Sequence, residues 1–249
     1  DTLISNSEYS FFLDNSVTDT ISNPMLSSLN YTFRTADEHY TDDILIDNYL
    51  AFCLGILFAI TINAEAQAFV AQFLGDVREK DKNRFHFNAL RHLDLPGTVS
   101  FFISGFGWPR SVDIDPSKFA RPRLHTVIIR FAGPLSNFLL ASIISSISLL
   151  LEQFSIQTQM LQIVMGINLM VAVANLLPFP PLAAASILDV IFEGQNKTFE
   201  KLFWKAGPYV LVLLLIADRI NHNVILNRFV MPIVIPMFKF FTKSFTFGR

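Results

Sequence analysis

Asn63 and Gln67 stand four residues apart inside an apolar run over about 48–74, with Ala64 and Glu65 between them. Side chains at i and i+4 share one face of a helix, and that is the spacing with which two imidazoles grip a zinc ion. Here both are primary amides. Zinc is held by imidazole, thiolate or carboxylate, whereas amide oxygens are weak zinc ligands and suit harder ions. Ala64 has no proton-accepting group. Glu65 does ionise, and a carboxylate at membrane depth marks a functional site by default. On a helix, however, it points about 100° away from its neighbours, off the Asn63/Gln67 face, and a structural pairing with a cation such as Arg130 is expected.

Other chemistry-bearing groups are sparse. His86, His92 and Asp94 fall in one loop, where His-x-Asp has the makings of a metal site, while His39, His125 and His222 are scattered, with no i, i+4 pair among the five. No Ser-His-Asp assembly and no Gly-rich phosphate loop can be inferred from local sequence. The single Cys53 excludes an internal disulfide and a cysteine-built metal site; within its apolar run it is a small core residue.

The elements that must position these groups are apolar ones. With 51% hydrophobic and 16% charged residues, the chain carries too much apolar surface for an ordinary water-soluble core and reads as an integral membrane protein. A helix needs about 20 apolar residues to cross roughly 30 Å of hydrocarbon. Stretches at about 48–74, 124–151, 158–178, 203–220 and 224–243 meet that length. The shorter 95–108, with Pro96, Gly97, Gly105 and Gly107, reads as a re-entrant or broken helix, tolerable where its backbone is buried in protein.

Residues 1–47 form a polar arm with nine acidic side chains (Asp1, Glu8, Asp14, Asp19, Asp37, Glu38, Asp42, Asp43 and Asp47) against Arg34 alone. Its few aromatics are too few for an independent core, so docking on the body or on a partner is expected. Basic residues gather after the first helix (Arg78, Lys80, Lys82, Arg84 and Arg91) and after the broken segment (Arg110, Lys118, Arg121 and Arg123). By the positive-inside rule they face the cytoplasm, matrix or stroma, and the arm lies across the membrane. They read as orienting charges in contact with headgroups. A net charge of −2 without a basic face gives no reason to propose nucleic acid binding.

Downstream of the amide pair a series of motifs follows in order. Leu74-Gly75-Asp76 comes first, then Arg84, Asn88, His92, Asp94 and Gly97 at fixed spacing. Gly107-Trp108 and Asp115-Pro116 follow, then Ala132-Gly133-Pro134-Leu135-Ser136-Asn137, and finally Asn175-Leu176-Leu177-Pro178-Phe179-Pro180-Pro181-Leu182 before Ala183-Ala184. In this series, over about residues 50–190, the chain resembles the site-2 protease family of intramembrane zinc metalloproteases, specifically small bacterial-type members without an inserted PDZ domain. The resemblance places His-Glu-x-x-His at 63–67 and a third, carboxylate ligand at 183. Asn63, Ala64, Gln67 and Ala183 therefore stand where two zinc ligands, the general base and the last ligand are expected. His92 and Asp94 match family positions outside the ligand set, which implies a hydrogen-bonding role in their loop.

The retained residues point to a scaffold. Gly133 and Pro134 let helices approach or bend, Asn137, Asn168 and Asn175 can hydrogen-bond across helices in hydrocarbon, and Pro178, Pro180 and Pro181 force an extended, non-helical backbone. The expected architecture is an all-α polytopic membrane protein with about five to six transmembrane helices and one re-entrant segment. It divides into the arm (1–47), a site-2 protease-like membrane core (48–190) and C-terminal membrane helices (191–249). The expected function is that of a catalytically inactive homologue without metal or other cofactor. It would serve as a structural or binding subunit, with other integral membrane proteins of a multi-subunit complex, and lipids, as partners. Two alternatives compete: an active protease with unorthodox ligands, such as Glu65 with a loop histidine, and a monomer that sequesters transmembrane segments. A transporter finds no support in an inverted repeat or a cluster of membrane carboxylates. The expected location is a bacterial inner membrane or a mitochondrial or plastid inner membrane. A targeting segment removed before Asp1 would fit the chain's non-Met start.

Overall fold

The computed structural model describes residues 7–14, 16–18, 23, 28–34, 49–77, 87–191 and 197–242. By its contacts the chain divides into two units, Asp1–Asp43 and Ile44–Arg249. The basic residues Arg78, Lys80, Lys82 and Arg84, together with His39, His86 and most acids of the arm, lie outside the described residues.

Alternating aromatic and polar residues in the first unit have the period of two that suits a strand. They form an antiparallel hairpin of β1 (Glu8–Leu13) and β2 (Leu29–Arg34), with Glu8 opposite Arg34 and Leu13 opposite Leu29. This register places Tyr9, Phe11 and Leu13 on one face with Phe33, Tyr31 and Leu29, and the Tyr9 and Phe33 rings stack at 5.8 Å. Among the described residues this hairpin is the one two-stranded sheet, and the other elements are helical.

The second unit is built from α1 (Tyr49–Phe73), the single turn α2 (Ala89–His92), α3 (Leu95–Ser104), a 3-10 turn (Pro116–Lys118), α4 (Pro122–Glu152), α5 (Gln159–Ala174), α6 (Ala185–Ile191), α7 (Lys197–Ile220), a π turn (Leu226–Val230) and α8 (Met231–Thr242). Among the described residues α1 and α4, with 25 and 31 residues, are long and apolar enough to cross a membrane. At about 1.5 Å per residue they measure roughly 37 and 46 Å, against roughly 30 Å of hydrocarbon.

The expected five to six spans are not supported, and each shortfall has a local cause. Stretch 158–178 yields only 16 helical residues in α5, roughly 24 Å, before the proline-bearing turns begin. Stretch 203–220 carries Lys205, Asp218 and Arg219 within α7, and 224–243 is divided by the π turn into the 12-residue α8, which contains Pro236. The 10-residue α3 is also too short to span.

Helices α1, α4 and α5 pack on one another and form the nucleus of this unit. Phe52, Ile56, Ala59 and Ile60 of α1 bury themselves against Ile163, Ile167 and Val171 of α5, with Phe101 of α3 in the same cluster. At Gly55 the two helices come close, and a β-carbon there would displace the tip of the Ile167 side chain. A second cluster joins Phe106 and Trp108 to Met170, Leu182, Leu211, Leu215, Val230 and Val234, and so ties α7 and the π turn to α5. Buried Asp218 caps the last helical segment, accepting from Ile225 N at 2.7 Å and Leu226 N at 3.2 Å.

The 95–108 segment enters as α3 and turns straight back. Asp94 caps its N-terminus by accepting from Gly97 N at 3.0 Å, and Gly105 ends it in the left-handed region at φ 76. The returning chain crosses so closely that a β-carbon at Gly107 would overlap the Gly97 carbonyl, and one at Gly97 the Trp108 carbonyl. Trp108 Nε1 donates to Asp94 Oδ2 at 2.9 Å and Arg110 N to the His92 carbonyl at 2.7 Å, which closes the reversal.

Candidate functional site

The Asn63/Gln67 face of α1 is turned inward, not toward the surface. Asn63, Ala64, Glu65 and Gln67 are all buried, although α1 is apolar on every side and gives little periodic indication of which face packs inward. Polarity decides it: amides in hydrocarbon need partners, and α4 supplies them. Arg130 and Asn137 lie seven residues apart on α4, two turns along the same face, with Gly133 between them. A β-carbon at Gly133 would collide with the Asn63 amide, so glycine here sets how closely α1 and α4 approach.

The side chains then form a directed relay through three helices. Arg130 Nη1 donates to Gln67 Oε1 at 2.9 Å, and Gln67 Nε2 donates to Asn63 Oδ1 at 2.8 Å. Asn63 Nδ2 donates to Asn137 Oδ1 at 2.6 Å. Asn137 Nδ2 donates both to Asn168 Oδ1 on α5 and to the Ala59 carbonyl, each at 2.9 Å, and Asn168 Nδ2 ends on the Val164 carbonyl at 2.8 Å. Ser136 Oγ adds a bond from α4 to the Ile62 carbonyl at 3.1 Å.

Glu65 lies off this face and meets a different partner from the one expected. Its Oε1 is 2.9 Å from His92 Nε2 and accepts from Phe87 N at 3.2 Å, while Arg130 serves Gln67. The cause is azimuthal: Arg130 shares the α4 face that looks at Gln67, and the turn after Phe87 brings His92 to the flank of α1 where Glu65 projects. His92 and Asp94 thus both hydrogen-bond, one to α1 and the other to α3 and Trp108.

The remaining site residues form a second group. Asn175 Oδ1 accepts from Ala183 N at 3.1 Å, its carbonyl accepts from Ala184 N at 3.0 Å, and its Nδ2 donates to the Val171 carbonyl at 2.7 Å. Asn175 therefore braces its own loop instead of bonding to another helix, as Asn137 and Asn168 do. Between Ala174 and Ala185, Pro178, Pro180 and Pro181 lie in a succession of tight turns, not in the expected extended backbone. Phe179 N bonds to the Leu177 carbonyl and Leu182 N to that of Phe179, and the Pro180–Pro181 peptide is cis. Pro180 packs on Gly207 of α7. Pro134 sits buried inside an unbroken α4. The described hydrogen bonds tie Ala183 to Asn175 and Ser186, not to Asn63 or Gln67.

Two further motif elements meet at the end of α1. Asp76 of the Leu-Gly-Asp segment accepts from Asp115 N at 3.1 Å and lies 3.8 Å from Lys118 Nζ, so the end of α1 is fastened to the Asp115-Pro116 turn. Sequence reasoning missed Arg130 as the Gln67 partner. Its i, i+7 spacing from Asn137 is the signal that finds it.

In donor chemistry the relay uses amide oxygens as acceptors throughout, and Ala64 and Ala183 contribute no side-chain ligand. Among the described residues no three His, Cys, Asp or Glu side chains gather where they could hold a metal.

Among curated proteins the chain is similar to the putative zinc metalloprotease YwhC of Bacillus subtilis (strain 168), 33% identical over 150 residues, which make up 57% of this chain and 68% of the relative. No family model matches the chain, and no solved structure matches it. The relative's name points to protease function. It corrects the expectation that the chain is a catalytically inactive homologue serving as a structural or binding subunit, since nothing in the geometry establishes inactivity.

Proposed function

The chain belongs to the site-2 protease family, and from that premise we propose that it acts on a segment of polypeptide within the membrane, at the amide-lined face of α1. The observation that carries this reading is a buried polar relay, Gln67, Asn63, Asn137 and Asn168, that joins two helices of membrane-crossing length, α1 and α4, to the shorter α5. Polar groups are costly at that depth and are kept where they bind or bridge something.

In the same reading the zinc ligands and the general base are absent from the positions where the family resemblance puts them. Asn63 and Gln67 offer amides already engaged as acceptors, Ala183 offers its backbone alone, and Ala64 cannot take a proton. These residues do not fit zinc. Peptide-bond hydrolysis, to which the relative's name points, would draw on other groups. On the same turn of α1 the ionisable pair is Glu65 with His92. The chain is further read as a small family member without an inserted PDZ domain, in a bacterial inner membrane or an organelle inner membrane, with membrane polypeptides and lipid as its partners.

The test uses the purified chain in lipid nanodiscs and a transmembrane reporter peptide carrying a photoreactive group. Photo-adducts on α1 and α4, with zinc far below one per chain by elemental analysis, are expected. Absence of adducts would refute the polypeptide reading, and stoichiometric zinc with chelator-sensitive cleavage would refute the reading of the ligand set. Cleavage that survives chelation would assign hydrolysis to groups other than zinc.

A further inference from the structure

The hydrogen-bond direction of the amide relay is fixed by chemistry at both ends. A guanidinium can only donate, so Arg130 compels Gln67 to present its oxygen there and its nitrogen to Asn63. Asn63 must then accept from Gln67 and donate to Asn137. At the far end the Ala59 and Val164 carbonyls can only accept, which forces the nitrogens of Asn137 and Asn168 toward them. Each amide oxygen along the line already accepts one bond, from Arg130 or from the preceding amide. Donor capacity is left as well: the described hydrogen bonds engage one of the two N–H groups of Gln67 Nε2 and one of the two of Asn63 Nδ2. Both side chains are buried, at 7% and 1% exposure, where a second N–H without an acceptor is destabilising.

We propose that Asn63 and Gln67 form an oxygen-acceptor site. Their second N–H groups donate to a backbone carbonyl of the bound polypeptide, and Arg130 holds the relay in the direction that presents donors. The inference rests on the reading of the site as one that engages polypeptide, and it adds which atoms recognise it. A helical segment spends its carbonyls internally, so the ligand is an unwound stretch with a carbonyl to spare.

The experiment uses the full chain in nanodiscs and a 20-residue transmembrane peptide of Leu and Ala with a central Gly-Gly pair, its first glycine carbonyl labelled with carbon-13. Isotope-edited infrared spectroscopy reads that carbonyl alone, and fluorescence titration reads affinity. On binding the wild-type chain the labelled band moves to lower frequency. In Gln67→Glu the Arg130 pairing is retained but the donor is lost; in Asn63→Asp the other donor is lost. Each variant binds about tenfold more weakly, the scale of one buried hydrogen bond. An unshifted band on the wild-type complex, or equal affinity in both variants, would overturn this inference while leaving the polypeptide reading in place. Failure of the wild-type chain to bind the peptide at all would overturn both. The band shift needs no variant, so a substitution that fails to fold does not remove the test.

Discussion

Asn137 is the point at which the three central helices are joined, and Asn137→Leu tests whether polar bonds or apolar packing set the stability of that joint. The side chain is fully buried and makes three bonds, accepting from Asn63 and donating to Asn168 and to the Ala59 carbonyl. Leucine of similar bulk removes all three and leaves the Asn63 amide and the Asn168 oxygen facing hydrocarbon. At about 0.6–1.5 kcal/mol per bond, the expected loss is roughly 2–4 kcal/mol, or about 30- to 900-fold in the folding equilibrium. The assay is reversible unfolding in mixed micelles followed by tryptophan fluorescence, with exposed Ser146→Ala as a control that costs under about 0.5 kcal/mol. Asn168→Leu, paired with Asn137→Leu in a double-mutant cycle, makes the two losses fall short of additivity by roughly 1 kcal/mol, because they share one bond. A cost below about 0.5 kcal/mol for Asn137→Leu would refute the reasoning, since the relay would then be incidental to apolar packing around it.

Gly133→Ala places a methyl against the Asn63 amide and is expected to destabilise by about 1–3 kcal/mol through overpacking, read in the same unfolding assay. Glu65→Ala removes the acceptor shared by Phe87 N and His92; hydrogen exchange at the Phe87 amide should speed up about tenfold, with Glu65→Gln intermediate because its amide oxygen still accepts. Asp94→Ala deletes both the α3 cap and the Trp108 partner, and the expected cost is about 1–3 kcal/mol with a red shift in Trp108 fluorescence measured in a Trp204→Phe background. Cys53 is exposed on α1 and not the core residue its apolar run suggests, so a membrane-permeant maleimide should label it while a charged one does not; equal labelling by both would count against α1 as a span.

Much of the site was legible in the chain itself. The apolar run predicted the helix over Tyr49–Phe73, and i, i+4 spacing put Asn63 and Gln67 on one face. The Gly133 to Asn137 segment marked where α4 would come close, and Asp94 followed by Pro96 and Gly105 marked the short broken helix. Those features depend on local geometry, in which neighbours along the chain are neighbours in space. Tertiary structure alone decided the pairings: Gln67 rather than Glu65 for Arg130, His92 for Glu65, Asn168 for Asn137, and Asn175 for its own loop. It also decided that apolar stretches of similar composition become a long helix in one place and a short helix or broken turn in another. A sequence fixes the angle of a side chain around its own helix axis, but not the rotation of that helix against its neighbours. That rotation is set by the packing of α1, α4 and α5 together, where Gly55 and Gly133 permit close approach and the buried amides must all find partners at once.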